Sequence, residues 1–506
     1  MGITRRLLAA VPLVLCGWAL AGAAMAADKD VTIVLPEEPD IVDPCHASRS
    51  NIGRIVKQNV AETLTEIDPV DGSVTPRLAT SWEQVDERTW RFELRQGVKF
   101  HDGSDLDAQA AVESINRTLS EKLDCEIRVK FFGPIKLTAT AVGPHTLEVQ
   151  TAEPSPIMPT MMGTMTIQSP KAPADSLTRE PIGTGPYVFK SWQPGQNVVL
   201  ERFDGYWGEQ PEAEKATYIW RSESAVRAAM VATGEADIAP SISVQDASDP
   251  ETDFSYFDSE TTAMRIDVTR APLDDLRLRK AVNLAIDRSA FIGTILSKDV
   301  VPATQLVVPG INGHNPELVV WPYDPEQARK LIAEAKADGV PVDKEIVLIG
   351  RRGIHAGVTE VMEAIHAMLQ DVGLNVKLQM VEVAEWVDIY TKPYAEDRPP
   401  TLFHTMHDNN NGDAVFTVFF KYHSGGAQSV LADEKLDGLV EKATYATGEE
   451  RRRLWQQAFA RINDELVADV PLFHMVGYTR VSPRVNFTPS ISTNSEIQLQ
   501  TITFNE

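Results

Sequence analysis

The chain has 506 residues, with 48 Lys+Arg against 72 Asp+Glu and a formal net charge of −24. That balance excludes a phosphate-backbone binder, which needs a basic face, and it opposes adhesion to an anionic membrane. Past the N-terminus no apolar run reaches the ~18–20 residues of a membrane helix, and the length calls for two or more domains, since single cores stop growing near ~250–300 residues.

Residues 1–26 read as an export signal: Arg5 and Arg6, an apolar run over 7–24, then Ala24-Met25-Ala26 as a small-x-small cleavage site. Cleavage after Ala26 sends the mature protein to the periplasm. Cys16 lies inside the apolar run, which leaves Cys45 and Cys125 in the mature chain. An even count in an oxidising compartment favours a Cys45–Cys125 disulfide over two buried thiols.

The run VTIVLP at 31–36 predicts a strand, and residues 51–64 carry helical spacing through Ile52, Ile55, Val56, Val60 and Leu64. Residues 75–181 mix alternating strands (TWRFELR, TLEVQ) with a helix after Asp107. More strands follow over 183–237, with a helix at 224–233 and a long one at 274–296. Asp324-Pro325-Glu326-Gln327 opens the next helix with an N-cap acid, Pro at the first position and Gln three residues on.

EIVLIG at 345–350 is a buried strand. A helix then presents Val358, Val361, Met362, Ile365 and Leu369 on one face and stops at Gly373, and Leu374, Val376, Leu378 and Met380 alternate as a strand should. Strand, helix, strand at these lengths make a parallel βαβ unit. Ligands of open α/β sheets collect outside the carboxyl ends of the strands. Two segments occupy such ends: Arg351-Arg352 after EIVLIG, and HTMHDNNNGDAVF (404–416) after the apolar Thr401-Leu402-Phe403.

Catalytic signatures are missing. The chain has no G-x-S-x-G elbow and no H-E-x-x-H helix. Gly183-Thr184-Gly185-Pro186 lacks the lysine of a phosphate loop, and Pro186 removes a donor.

Several segments, in order and at the right spacing, resemble the bacterial extracellular solute-binding proteins of the peptide, nickel and opine class (family 5). They are LATSWEQVDERTWRFELRQGVKFHDGSDLDAQAAV at 78–112, PIGTGPYVF at 181–189 with DGYW and GEADI after it, APLDDLRLRKAVNLAIDR at 271–288 and YDPEQARKLIAEA at 323–335. The resemblance implies a non-enzymatic, cofactor-free receptor of α/β class, with the two-lobed periplasmic-binding-protein fold (class II, the large cluster with an extra subdomain) and a hinge between lobes. Its implied division is lobe I from 27–67, 181–267 and 476–506, an extra subdomain from 68–180, and lobe II from 268–475. Implied partners are a small-molecule solute and a membrane-embedded ABC permease/ATPase complex, with the receptor itself monomeric.

In peptide-binding relatives a lobe II pattern W-x-x-D-x-x-acid-Pro anchors the ligand's amino group. On this chain it falls on His407, Asn410, Asp413 and Ala414, so the anchoring acid has become a neutral amide. An ordinary peptide is therefore disfavoured. On the opposite wall, His46, Arg49 and Ser50 follow Asp43-Pro44, which resembles the family's Leu-Asp-Pro. With Arg351, His404, His407, Asp408 and Asn409 added, the expected site suits a polar, carboxylate-bearing solute. A metal-chelate carrier is the alternative, and a secreted hydrolase a more remote one. No bare-ion site is expected, because H-x-x-H on a strand or loop lacks the shared face that a helix would provide.

Overall fold

The computed structural model describes residue 2 and residues 29–505, apart from 133–134, 353, 356 and 409–411; side chains at 383, 384, 387, 408 and 416 are also outside the description. The export signal expected over 1–26 lies outside the described residues, Gly2 apart.

One 11-stranded mixed sheet runs through the molecule. Its centre is an antiparallel ribbon of two long strands, Asp253–Ile266 and Asp469–Val481. On one side the ribbon continues through Ile238–Pro240, Asp30–Leu35, Lys215–Trp220, Asn197–Arg202 and Tyr187–Gln193; on the other through Thr401–Asp408, Ile346–Arg351 and Val376–Val381. The fold is α/β and two-lobed, and each lobe owns half of the ribbon.

The ladder registers decide where the strand ends point. Ile238, Ala239 and Pro240 pair in turn with Val481, Arg480 and Thr479, so this strand and its parallel neighbour Asp30–Leu35 run toward the ribbon's middle. From the other side Leu402 pairs with Ile266 and Asp408 with Glu260, so Thr401–Asp408 and its parallel neighbour Ile346–Arg351 also run toward the middle. Both carboxyl edges therefore converge on one level, and a crevice opens between them. At that level the ribbon is irregular: its register shifts between Phe257 and Thr261, and Ser259 takes a φ of +69°. Bulges of this kind bend a strand locally. Arg–Asp pairs fasten both ends, Arg265 to Asp469 at 2.8 Å and Arg480 to Asp253 at 2.5 Å, with each pair directly opposed in the ladder.

Lobe I carries a second, four-stranded antiparallel sheet built from Ala79–Asp86, Thr89–Leu94, Thr146–Thr151 and Leu137–Ala141. The helix Ala108–Leu119 packs on it, capped by Asp107, which accepts from the Ala110 amide at 2.8 Å. Phe92, Leu147 and Ile115 join Ile33, Tyr187 and Tyr218 in one buried core, so the extra sheet is welded to lobe I. Lobe II has separate cores on its two sheet faces, one around Leu348, Ile365 and Leu402, the other around Val418, Trp455 and Phe459.

The disulfide between Cys45 and Cys125 is present, with Cα atoms 5.3 Å apart. The helices of 224–233, 325–337 and 358–371 form as their patterns predict, the second capped by Asp324 as expected. Gly183 and Gly185 answer to close packing: a Cβ on either would sit 1.9 or 2.3 Å from the carbonyl oxygens of Val60 and Asn59.

Three expectations need correction. The helix of 51–64 spans only Ser50–Val56, because Lys57 is extended and Gln58 turns to a φ of +59°. The helix of 274–296 is Leu276–Leu284 followed by a separate short turn, Arg288–Phe291, which Asp287 caps through the Ser289 amide. The strand after Pro400 does not stop at Phe403 but runs on to Asp408, so the histidines expected in a loop lie within the sheet.

Removing one member of a buried ion pair leaves an uncompensated charge, at a cost of about 3–5 kcal/mol. Asp469→Asn is expected to lower the urea-unfolding free energy by that order, whereas Lys122→Gln, which loses an exposed pair to Asp175, is expected to cost under about 1 kcal/mol. Equal costs would remove the ribbon lock. Buried neutral histidines add a pH signature. Burial holds His101 down at about 4 and His404 and His474 at about 3, against an ordinary 6.5. Below pH 6.5 the unfolded chain gains protons that the native state refuses, so stability falls as pH falls, by up to about 1.4 kcal/mol per pH unit for each histidine. Urea titrations between pH 7 and 5 are expected to show this loss, and a flat profile would contradict it.

Candidate functional site

Lobe II contributes the richer wall of the crevice. Arg351 ends its strand, and its guanidinium lies 5.5 Å from the ring centre of Trp386, a cation–π arrangement. The Trp386 indole donates to the His404 carbonyl at 2.9 Å, which ties the Arg351 platform to the neighbouring strand. Arg351 Nε is buried and donates to no described group.

Strand alternation separates the two histidines of HTMH. His404 shares a face with Leu402 and meets His355 edge-on at 5.6 Å. It is fully buried, both ring nitrogens lack a described hydrogen-bond partner, and burial, with His355 and Arg351 adding to it, holds it neutral. His407 lies on the opposite face with Phe403, its Nε2 2.5 Å from Thr417 Oγ1 on the helix Val415–Tyr422. The pair cannot grip one ion. Among the described residues no three His, Cys, Asp or Glu side chains come together as metal ligands.

Under the His407 face lies a buried basic cluster. Lys421 Nζ donates to Gln428 Oε1 at 2.9 Å and to Tyr390 Oη at 3.3 Å. Arg265 donates to Asp469 at 2.8 Å and to the Lys421 carbonyl at 2.5 Å, with Tyr422 4.4 Å beneath its plane. Arg265 pairs directly with Asp469, and Lys421 feels the same carboxylate at longer range. Burial lowers Lys421, and it would raise Tyr390, but Lys421 and Arg265 outweigh it and hold that phenol below its ordinary value. His407 is pushed well down by burial and then by the same two cations.

Lobe I contributes the turn after Leu35. Asp43 caps the short helical turn Pro44–His46 through the Cys45 amide at 2.9 Å and is itself held by Arg117 at 2.7 Å. The disulfide anchors the same turn. His46 is buried, with Nδ1 3.9 Å from Glu126 and neither ring nitrogen hydrogen-bonded to a described group.

Two expected ligand residues are engaged within the protein. Arg49 pairs with Asp40 at 2.9 Å and with Glu126 at 3.8 Å, and Asp40 raises its pKa further. A solute carboxylate would have to displace those acids. Asp413 is buried in a two-pronged pair with Arg451, both contacts 2.7 Å, and its side chain also meets Asn312 and the Val415 amide. It holds the start of the helix Val415–Tyr422 and presents no oxygen to the crevice edge. Ser50 is exposed at the first turn of its helix. The Asp408 backbone pairs with Glu260, while its side chain, like all of Asn409 and Asn410, lies outside the described residues.

Sequence reasoning missed Trp386, His355 and the Arg265–Lys421 cluster. Trp386 carried a usable signal, a lone tryptophan in EVAEWVDIY shortly after a parallel strand. Arg265 and Lys421 carried none, since they meet only when residues far apart in the chain pack together.

Comparison with known proteins follows the same lines. The glutathione-binding protein GsiB of Escherichia coli (strain K12) is 27% identical over 413 residues, covering 79% of this chain and 78% of the relative. The structure of HbpA2 from Haemophilus parasuis superposes with a TM-score of 0.83 at 21% identity, covering 94% of this chain and 100% of that one. A nickel ABC transporter structure from Bacillus halodurans gives 0.79 at 23% identity, covering 94% and 99%. The family described as bacterial extracellular solute-binding proteins, family 5 (middle region), matches residues 73–427, and the chain belongs to that family.

Proposed function

We propose that this protein is a periplasmic receptor for a small, carboxylate-bearing solute (a modified amino acid, an opine-like compound or a short acidic peptide), which it captures between its lobes and delivers to a membrane-embedded ABC importer. The observation that carries this reading is the Arg351–Trp386 pair at the strand end of lobe II in an otherwise acidic chain. Arg351 stands on Trp386 there, its buried Nε has no hydrogen-bond partner among the described residues, and its charge helps hold His404 neutral. A guanidinium so placed suits a planar carboxylate. Glutathione, the solute in the name of the Escherichia coli relative, carries two carboxylates and is the natural first probe.

In this reading residues 27–67, 181–267 and 476–506 move as lobe I with 68–180 attached, and 268–475 as lobe II. The bulge around Ser259 supplies the bend. The solute favours the closed form by touching both walls at once. Export with cleavage after Ala26 and a monomeric state complete the proposal.

Mass spectrometry of small molecules released from the purified protein is expected to recover an anionic solute. Calorimetry with it, or with glutathione, should show saturable binding without turnover. Arg351→Ala is expected to weaken that binding tenfold or more, the cost of one charge-assisted bond. Arg49→Ala should weaken it by less, because Asp40 and Glu126 already occupy that side chain. Unchanged affinity in Arg351→Ala would withdraw the placement.

A further inference from the structure

The helix Val415–Tyr422 has two faces. Val418 and Tyr422 are buried in the lobe II core, and Thr417 ties the helix to His407 at the strand end. Phe419 and Phe420 instead remain 43% and 42% exposed. They are not solitary surface residues, which would be ordinary. Across from them lies the other lobe's extra subdomain, and between the two is a recess of about 440 Å³ with Ile135, Ile157 and Met161 on one wall and Val415, Phe419 and Phe420 on the other. Its lining is largely apolar. Arg451, at its edge, is committed to Asp413.

We propose that the solute carries an apolar arm, an alkyl or aryl group, and that this arm seats in the recess between Phe419–Phe420 and Ile157–Met161 while its carboxylate is held at the Arg351 strand end. The inference rests on the carboxylate-bearing reading above and narrows it to an amphipathic anion. The occupant is argued from continuity. Thr417, on the helix that carries both phenylalanines, touches His407, which lies one residue before the end of the strand that forms the lobe II wall. A molecule with its charge at that wall therefore has the recess beside it. Both recess walls come from different lobes, so an arm placed there also adds a contact that exists only when the lobes share the solute. The volume accommodates a six-carbon chain, and burying even two of its carbons is enough for about a tenfold gain in affinity.

The test uses matched pairs titrated into the mature protein by calorimetry: glutathione against S-hexylglutathione, and glutamate against N-hexanoylglutamate. The hexyl-bearing member is expected to bind at least tenfold more tightly than its bare partner. That ratio should fall to near one in the double variant Phe419→Ala/Phe420→Ala and also in Ile157→Ser on the facing wall, with circular dichroism verifying that each variant is folded. Hexyl-bearing members that bind no better than their partners would overturn the proposal. If bare members bind and the ratio is one, only the apolar arm fails; if no member of either pair binds, the carboxylate reading falls with it.

Discussion

The two-stranded ribbon Asp253–Ile266 and Asp469–Val481 is the constraint on which the rest of the molecule depends. Its strands stay paired along both lobes, so neither lobe completes its sheet without the other. The Arg265–Asp469 and Arg480–Asp253 pairs clamp the two ends, and the register shift near Ser259 relaxes the middle. A ribbon that is firm at its ends and irregular at its centre bends in one place. That place is also where the carboxyl edges of both half-sheets meet, so the bend and the crevice are set by one ladder.

Electrostatics follows from the same geometry. In a chain of net charge −24, Arg351 and His404 stand near the lobe II strand end, while Lys421 and Arg265 lie buried behind His407, with Asp469 paired to Arg265. Placing two bases around one acid in a water-poor interior costs free energy that packing alone does not require. On the lobe I side the acids Asp40 and Glu126 balance Arg49.

Much of the fold was legible in the sequence because its signals are local. Asp324 and Asp107 cap the helices they announce, and Leu374 to Met380 alternate as a half-buried strand does. Cys45 and Cys125 are bonded, the pairing expected once Cys16 is assigned to an export signal. Where several local patterns could continue, the tertiary structure chose among them. Val60 and Leu64 keep helical spacing, yet the chain leaves the helix at Lys57 because residues 59–60 must lie against Gly183 and Gly185. HTMHD is polar enough to read as a loop, but Thr261–Met264 supplies ladder partners that hold it extended.

The site divides the same way. The position of the converging strand ends is a property of the sequence alone: a strand ending in Arg351, a parallel neighbour, and an unusually polar continuation at 404–413. What each side chain does there was decided only in three dimensions. Asp413 looks like a ligand acid and is consumed by Arg451; Arg49 looks like a free guanidinium and is consumed by Asp40. Lys421 and Arg265, silent in the sequence, form a buried cluster behind the strand, and Trp386, a lone tryptophan in the sequence, backs Arg351. The reason is physical. Propensity and periodicity act over a few residues, whereas whether a charge is free or spent depends on which distant partner the fold brings within 3 Å.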